Sequence, residues 1–346
     1  MVNIRDVANL AGVSMMTVSR VVNENGPVSE KTKKKVLAAI KELDYIPNQL
    51  AKSLVNSTSR TVGVLFSNIF NAVYSSIISG IEKKAREIGY NIIISKSTDY
   101  LSSIQALNML VSKMVDGLII LPVEPEGIND DVLSERALGE MFHFYEDLKK
   151  LLAKRKLPCV VVDIDIESEL VEYVCHDYIG ASRMGINYLI SRGLKHIHYV
   201  NSELKQGLWK DREEEYLNAM KSAGLSEYVK IHYCANSTKS AFNLVHTLLK
   251  SGEKPEAFYC GNDILAIGAM QAISSLSLKI PQDISVMGND GINIGQMLIP
   301  SLASVDIGSY DLGIKSMERC HEFIEGKRNH SVLYVQSHLI NGKSVI

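Results

Sequence analysis

The 346-residue chain is predicted to be an α/β protein, with a small all-α head followed by a two-lobed core built on parallel sheets. Three observations lead there. Residues 4–45 carry apolar side chains at helical spacing between short polar breaks. From Thr61 onward, short β-branched runs alternate with helical stretches, the pattern of βαβ units with buried strands. A pause near Asp177 splits roughly ten such runs into two groups, which fits a length that calls for more than one compact unit. The predicted divisions are a head at 1–46, a hinge or linker at 47–60 and a core at 61–346. Lobe 1 takes about 61–176 plus 308–328, and lobe 2 about 177–307 plus 329–346.

In the head, Asn3 is placed to cap a first helix, with Asp6 favouring its positive end. Ile4, Val7, Ala8 and Ala11 share one face, and Gly12 breaks the helix. Ser14 opens a second helix, running to about Asn23, whose apolar stripe is Val18, Val21 and Val22. A turn of about 100° per residue points Met16, Arg20 and Asn23 away from that stripe and leaves Met15 at its margin. Asn25-Gly26-Pro27 reads as a turn. Ser29 opens a third helix, KTKKKVLAAIKELDY, with Val36, Leu37, Ile40 and Leu43 inward and Pro47 as its stop. Two short helices joined at a glycine and crossed by a third make a helix-turn-helix, whose second helix lies in the DNA major groove. Methionine there packs on a thymine methyl, and arginine forks onto guanine O6 and N7. The competing reading is that Met15 and Met16 fill gaps in a small core.

Charge supports a polyanion partner for the head. Residues 1–60 carry a net +4 and the remainder −6, within an overall −2. With 46% hydrophobic and 22% charged residues, composition is that of a soluble globular protein. No run approaches the ~18 apolar residues of a membrane helix, and MVNIRDVANL has no apolar core of a signal peptide. The five cysteines, at 159, 175, 234, 260 and 320, form no C-x-x-C, so reduced thiols in a cytoplasmic protein are expected, without a metal site.

The strand runs of the core are TVGVLF, NIIIS, DGLIILP, CVVVDID, VEYVCHD, HIHYV, YVKIHYC, AFYCGND and ISVMGND. Open parallel sheets bind ligands beyond the carboxyl ends of their strands, so the polar residues that end these runs are site candidates. No phosphate-binding glycine loop, nucleophile elbow or H-E-x-x-H is present, and no catalytic residue or cofactor is predicted. His196 and His198 share a strand face and read as a satisfied structural pair. A helix is expected over SERALGEMFHFYEDLKKLLAKRK, in the long segment from Glu124 to Leu157. It reads as surface elaboration, or as a border of a pocket or dimer face.

The stretch from Ile4 to Leu54, above all DVANLAGVSMMTVSRVVN, resembles the head of the lac repressor / galactose repressor family of bacterial regulators. The resemblance continues through SNIFNAVYSSIISGIEKKAREIGY, VDGLIILP, CHDYIGASRMGINYLISRGLKHIHYV and GNDILAIGAMQAISSLSLKIPQDISVMGNDG, which look like the family's periplasmic-binding-protein-like core. It implies a homodimeric regulator of double-stranded DNA at a pseudo-palindromic operator, more often a repressor, controlled by a small molecule held between the lobes. Met15, Met16 and Arg20 match its base-reading positions. Leu54, with Ala51 and Lys52 beside it, matches a hinge helix whose leucine wedges into the minor groove. Ser14, Thr17, Ser19, Asn23 and Asn48 fall where the head meets phosphates.

For the effector, a sugar or sugar derivative, the resemblance points to Asp290, Arg212, Asn262 and Tyr74. Asp290 accepts from paired hydroxyls and Arg212 donates a fork. Asn262 both donates and accepts, and Tyr74 offers an apolar face with a polar tip. Trp209, three residues before Arg212, either stacks on a sugar ring or packs in the core. Asp263 reads as the cap of the helix that follows it. The chain departs from the family at Glu215, where a glycine is usual, and at Asn236, where many members have an aromatic residue. A purine or nucleoside corepressor, or a partner protein, is the alternative regulator on the same fold. A sugar receptor without a regulatory role and an α/β-crevice enzyme are the remaining readings.

Overall fold

The computed structural model describes residues 2–23, 26–45, 58–122, 135–164, 166, 168–203, 207–329 and 331–346. Asn48, Ala51, Lys52 and Leu54 of the predicted hinge lie outside the described residues, as does the side chain of Asn23. Two compact units, Met1–Ser59 and Arg60–Ile346, divide the chain.

The first unit holds α1 (Ile4–Ala11), α2 (Met15–Asn23) and α3 (Glu30–Glu42). Asn3 caps α1 by accepting from the Arg5 and Asp6 amides, and Asp6 returns a bond to the Asn3 amide. Gly12 ends α1 at φ 65°, a left-handed conformation that a side chain would strain. Val7, Ala8, Ala11, Val18, Val21, Val36 and Ala39 form the core, with Ile4, Val22, Ile40 and Leu43 packed against it. Leu37 does not join them and is 48% exposed. At 100° per residue it falls outside the sector set by Val36, Ala39, Ile40 and Leu43. The helix also stops earlier than expected, at Glu42, because Asp44 turns left-handed at φ 45° and Tyr45 bonds back to the Ile40 carbonyl.

The second unit has two lobes. Lobe 1 is a six-stranded parallel sheet of β1 (Thr61–Phe66), β2 (Asn91–Lys96), β3 (Gly117–Ile120), β4 (Cys159–Val162), β5 (Val171–His176) and β11 (Leu333–Val335), in the order β11-β5-β4-β3-β1-β2. Val64 lies opposite both Ile94 and Ile119 in register. Alternation sends Val62, Val64, Ile119 and Val160 to one face, against α4 (Ala72–Glu87) and α12 (Ser309–Ile324). Leu65, Leu118, Ile120 and Val161 go to the other, against α5 (Tyr100–Ser112) and α6 (Glu135–Arg155). Helices α4 and α12 approach to backbone contact at Gly80 and Gly313, where a Cβ on either would overlap the other helix's carbonyl oxygens.

Helix α6 is the predicted extra helix, but it is no surface ornament. Phe144, Leu148 and Leu152 are buried in the lobe 1 core, and Tyr100 of α5 donates to Asp147 at 2.6 Å.

Lobe 2 is a four-stranded parallel sheet of β6 (Ile197–Ser202), β7 (Lys230–Cys234), β8 (Ala257–Cys260) and β9 (Ser285–Met287), in the order β7-β6-β8-β9. Helices α7 (Tyr178–Ser191) and α8 (Leu208–Ser222) contribute to one apolar cluster, with Tyr199 stacked between Tyr216 and Tyr259. Helices α9 (Thr238–Lys250) and α10 (Asp263–Ser275) contribute to the other. The short helix α11 (Asn293–Gln296) follows β9, and β10 (Ser304–Asp306) pairs antiparallel with β12 (His338–Ile340).

The chain crosses between lobes after β5, after β10 and after β11. The last crossing lies later than expected, because β11 pairs with β5 and keeps residues 333–335 in lobe 1. The crossings are tied together. His176 Nε2 lies 3.3 Å from Ser309 Oγ, and Gly308, at φ 79°, sits so close to Gln336 that a Cβ would reach its carbonyl at 2.8 Å.

Candidate DNA-reading helix and effector cleft

Helix α2 begins at Ser14, whose hydroxyl accepts from the Thr17 amide at 3.1 Å and lies 2.9 Å from the Thr17 hydroxyl. Val18 and Val21 turn inward. That rotation leaves Met15 46% and Met16 65% exposed, so neither fills the core, and Arg20 is exposed one turn beyond Met16. Thr17 and Ser19 are half-buried between the two faces.

In lobe 2, the polar ends of the strands converge on Arg212. This side chain of α8 is 1% exposed. Its Nη2 donates to Asp290 Oδ1 at 2.9 Å, and its Nη1 donates to the Gly261 carbonyl. The guanidinium carbon lies 4.9 Å from the Tyr178 ring centre and 5.5 Å from that of Trp209, so the cation rests on aromatic faces. Its Nε is buried with no hydrogen-bond partner.

Burial raises the Asp290 carboxyl above its ordinary range, while Arg212 pulls the other way. For Arg212, burial opposes the charge, but Asp290 together with Tyr178, Tyr199 and Tyr259 outweighs it and the pKa rises. Asp290 does not end β9, which stops at Met287; it lies beyond the strand at φ 141°, a conformation rare for a residue with a side chain. Such strain costs roughly 1–3 kcal/mol and concentrates at functional positions.

Asn262, not Asp263, caps α10. Its Oδ1 accepts from the Leu265 amide at 2.9 Å, and its Nδ2 donates to Asn236 Oδ1 at 2.9 Å. Asp263 is buried one residue on, accepting from the Ile292 amide at 2.7 Å and the Ser304 hydroxyl at 2.5 Å. Burial first, then the nearby Asp290, pushes its carboxyl up to about 7. Trp209 is 9% exposed in the α9/α10 cluster, with its ring against Arg212. Tyr74 is buried in the lobe 1 cluster with Phe66, Ile77 and Leu312.

A second group was missed in the sequence. Asp163, just past β4 at φ 58°, accepts from the His176 amide at 2.8 Å and from the Tyr178 hydroxyl at 2.9 Å. His176 Nδ1 lies 2.7 Å from Oδ2, the same oxygen that the Tyr178 hydroxyl uses, while the amide takes Oδ1. Burial works to raise the Asp163 carboxyl, but His176 and these hydrogen bonds outweigh it and hold it low. Tyr178 thus joins lobe 1 at its hydroxyl to Arg212 at its ring. The signal was partial: Asp163 and His176 lie in the polar tails of the runs CVVVDID and VEYVCHD, without ending them.

His198 is buried and pairs not with His196 but with His232, at 3.1 Å; burial first, then His232, pushes its pKa down to about 4. Glu215 is engaged by Arg183 of α7 at 2.7 Å, so this departure serves the α7–α8 packing. Among the described residues no cluster of three or more metal-ligating side chains occurs, no disulfide joins the cysteines, and no helix is long and apolar enough to cross a membrane.

A helix-turn-helix head with a two-lobed α/β core whose polar strand ends meet around a buried arginine defines the class of DNA-binding regulators with a receptor-like core. Residues 3–48 match the bacterial regulatory proteins of the lacI family, and residues 186–345 match the periplasmic binding protein-like domain. The HTH-type transcriptional regulator RegA of Clostridium saccharobutylicum is 32% identical over 348 residues, 99% of each chain. The HTH-type transcriptional repressor PurR of Serratia proteamaculans (strain 568) is 31% identical over 351 residues, 100% of this chain and 97% of that one. The lac repressor dimer bound to operator and the anti-inducer ONPF is 26% identical with a TM-score of 0.79, over 100% of this chain and 99% of that one. The chain belongs to the lacI family of bacterial regulatory proteins and is a DNA-binding transcriptional regulator.

Proposed function

We propose that the protein is a cytoplasmic homodimeric repressor whose operator affinity is set by a sugar or sugar derivative bound between the lobes. In this reading residues 1–46 read DNA, 47–60 form the hinge and 61–346 bind effector and dimerise. Met15, Met16 and Arg20 contact base edges, and Ser14, Thr17, Ser19, Asn23 and Asn48 position the head on phosphates. Leu54 is the minor-groove wedge, with Ala51 and Lys52 beside it. The observation that carries the effector reading is the Arg212–Asp290 pair: buried at Arg212, partly exposed and strained at Asp290, with the guanidinium resting on aromatic rings. Asp290 accepts effector hydroxyls and Arg212 and Asn262 donate to its oxygens. Tyr74 closes the cleft from lobe 1, and Trp209 acts by holding Arg212.

The relatives named PurR favour one other reading, a purine corepressor that tightens DNA binding. The deciding experiment is a thermal-shift screen of sugars, polyols, nucleosides and purines, repeated on Asp290→Asn. A ligand at about 100 times its Kd adds about 2.7 kcal/mol of stability. A sugar shift lost in Asp290→Asn is the expected result. A purine shift, or a sugar shift that survives the substitution, rejects the effector assignment.

A further inference from the structure

Two side-chain amides on the lobe 2 rim have their orientations fixed by the backbone. The Asn262 oxygen must face the Leu265 N–H, since an NH2 there would set donor against donor. Its Nδ2 therefore points at Asn236, which must present its own oxygen. The Asn236 NH2 is thereby turned outward, and Asn236 is exposed. Asn236 follows β7 and Asn262 leads α10 from β8, so the amide pair spans the carboxyl end of β6, which lies between those strands. That leaves two N–H groups on Asn236 and one on Asn262 as donors, and the buried Nε of Arg212 also lacks a partner.

Charge around Arg212 limits what these donors accept. Asp163, Asp263 and Asp290 all lie in the surrounding network, and Tyr178 interacts with both Asp163 and Asp290. Among the described residues there, Arg212 is the one fixed cation and already faces a carboxylate, as does the His176 ring. Among the described residues the cluster has no surplus positive charge for an anion.

Resting on the effector reading above, we propose that the Asn236–Asn262 pair is a preset donor edge that selects an uncharged, polyhydroxylated ligand over phosphorylated or carboxylated counterparts. Asn236 is its specificity-determining residue.

The substitution Asn236→Asp separates the possible roles, because a carboxylate still accepts from Asn262 but carries no N–H. Asn236→Ala removes both functions. Full-length wild type, N236D, N236A and D290N are titrated calorimetrically and by thermal shift. The probes are glucose, galactose, ribose and cellobiose, the 6-phosphates and uronic acids of the hexoses, and guanine and hypoxanthine. The expected result is binding of an uncharged sugar, with its charged counterparts at least tenfold weaker. N236D is then at least tenfold weaker for the same sugar while its ligand-free unfolding temperature stays within about a degree of wild type.

Wild-type affinity in N236D overturns the donor edge; if D290N still loses binding, the effector site itself stands. Tighter binding of a phosphate, acid or purine overturns the selectivity, as does silence from every uncharged sugar. Retained sugar binding in D290N overturns the underlying site as well.

Discussion

Removing Asp290 should strand a buried charge. Arg212 is 1% exposed, its Nε already lacks a partner, and Asp290 supplies its anionic counterpart at 2.9 Å. Breaking a buried pair from one side costs about 3–5 kcal/mol, whereas replacing both partners by apolar groups is often near neutral. Asp290→Ala should therefore lose about 3–5 kcal/mol, and Arg212→Met combined with Asp290→Ala should recover most of that loss. Asp290→Gly should be milder than Asp290→Ala by roughly 1 kcal/mol, since glycine removes the strain at φ 141°. Urea unfolding followed by tryptophan fluorescence measures this cleanly, because the single tryptophan, Trp209, lies beside Arg212 and reports only the second unit. The double-mutant cycle should give a coupling of at least about 1 kcal/mol. A loss below about 1 kcal/mol for Asp290→Ala, or strictly additive single mutants, would refute the pair as a buried, coupled unit.

Four further outcomes are expected. Arg20→Ala should relax base preference at one position per half-site and cost about 1–3 kcal/mol per guanine contact, read by binding to a randomised operator library. Leu54→Ala should reduce operator bending in a gel-shift assay while leaving effector affinity unchanged. The Asp263 carboxyl rises from 3.8 to about 7 on folding, so its contribution is complete below pH ~4 and is lost as pH rises through 7. Asp263→Asn should flatten that slope, worth up to about 4 kcal/mol, in pH-dependent urea unfolding; His198, depressed to about 4, acts in the opposite sense and leaves its own slope in the variant. Phe144→Ala should cost about 3–5 kcal/mol in thermal or urea unfolding, as α6 belongs to the core; a cost below 1 would return it to the surface.

Elements whose signals are local were legible in the sequence. The caps at Asn3, Ser14 and Ser29, the valine stripe of α2 and the β-branched runs of both sheets all lie within a few residues of what they determine. The exposed faces of Met15 and Met16 follow from the 100° step alone. What escaped depends on distant partners. Nothing near Asp163 announces that His176 and Tyr178 will close on it, and nothing in ISVMGND announces the positive φ of Asp290. Asn262 and Asp263 are both good caps, so their roles were separated only by the Ser304 and Ile292 groups that claim Asp263. The amphipathic pattern of α6 was visible, but its burial required knowing that the α5 face lay open to receive it.

The most direct test of regulation through the cleft is the operator affinity of the full chain with and without the sugar that stabilises it. An operator selected from random DNA should be a pseudo-palindrome with two half-sites. The sugar should change its affinity by about 5–150-fold, and Asp290→Asn should abolish the change while leaving sugar-free DNA binding intact. A sugar that binds tightly yet leaves operator affinity unaltered would contradict the account.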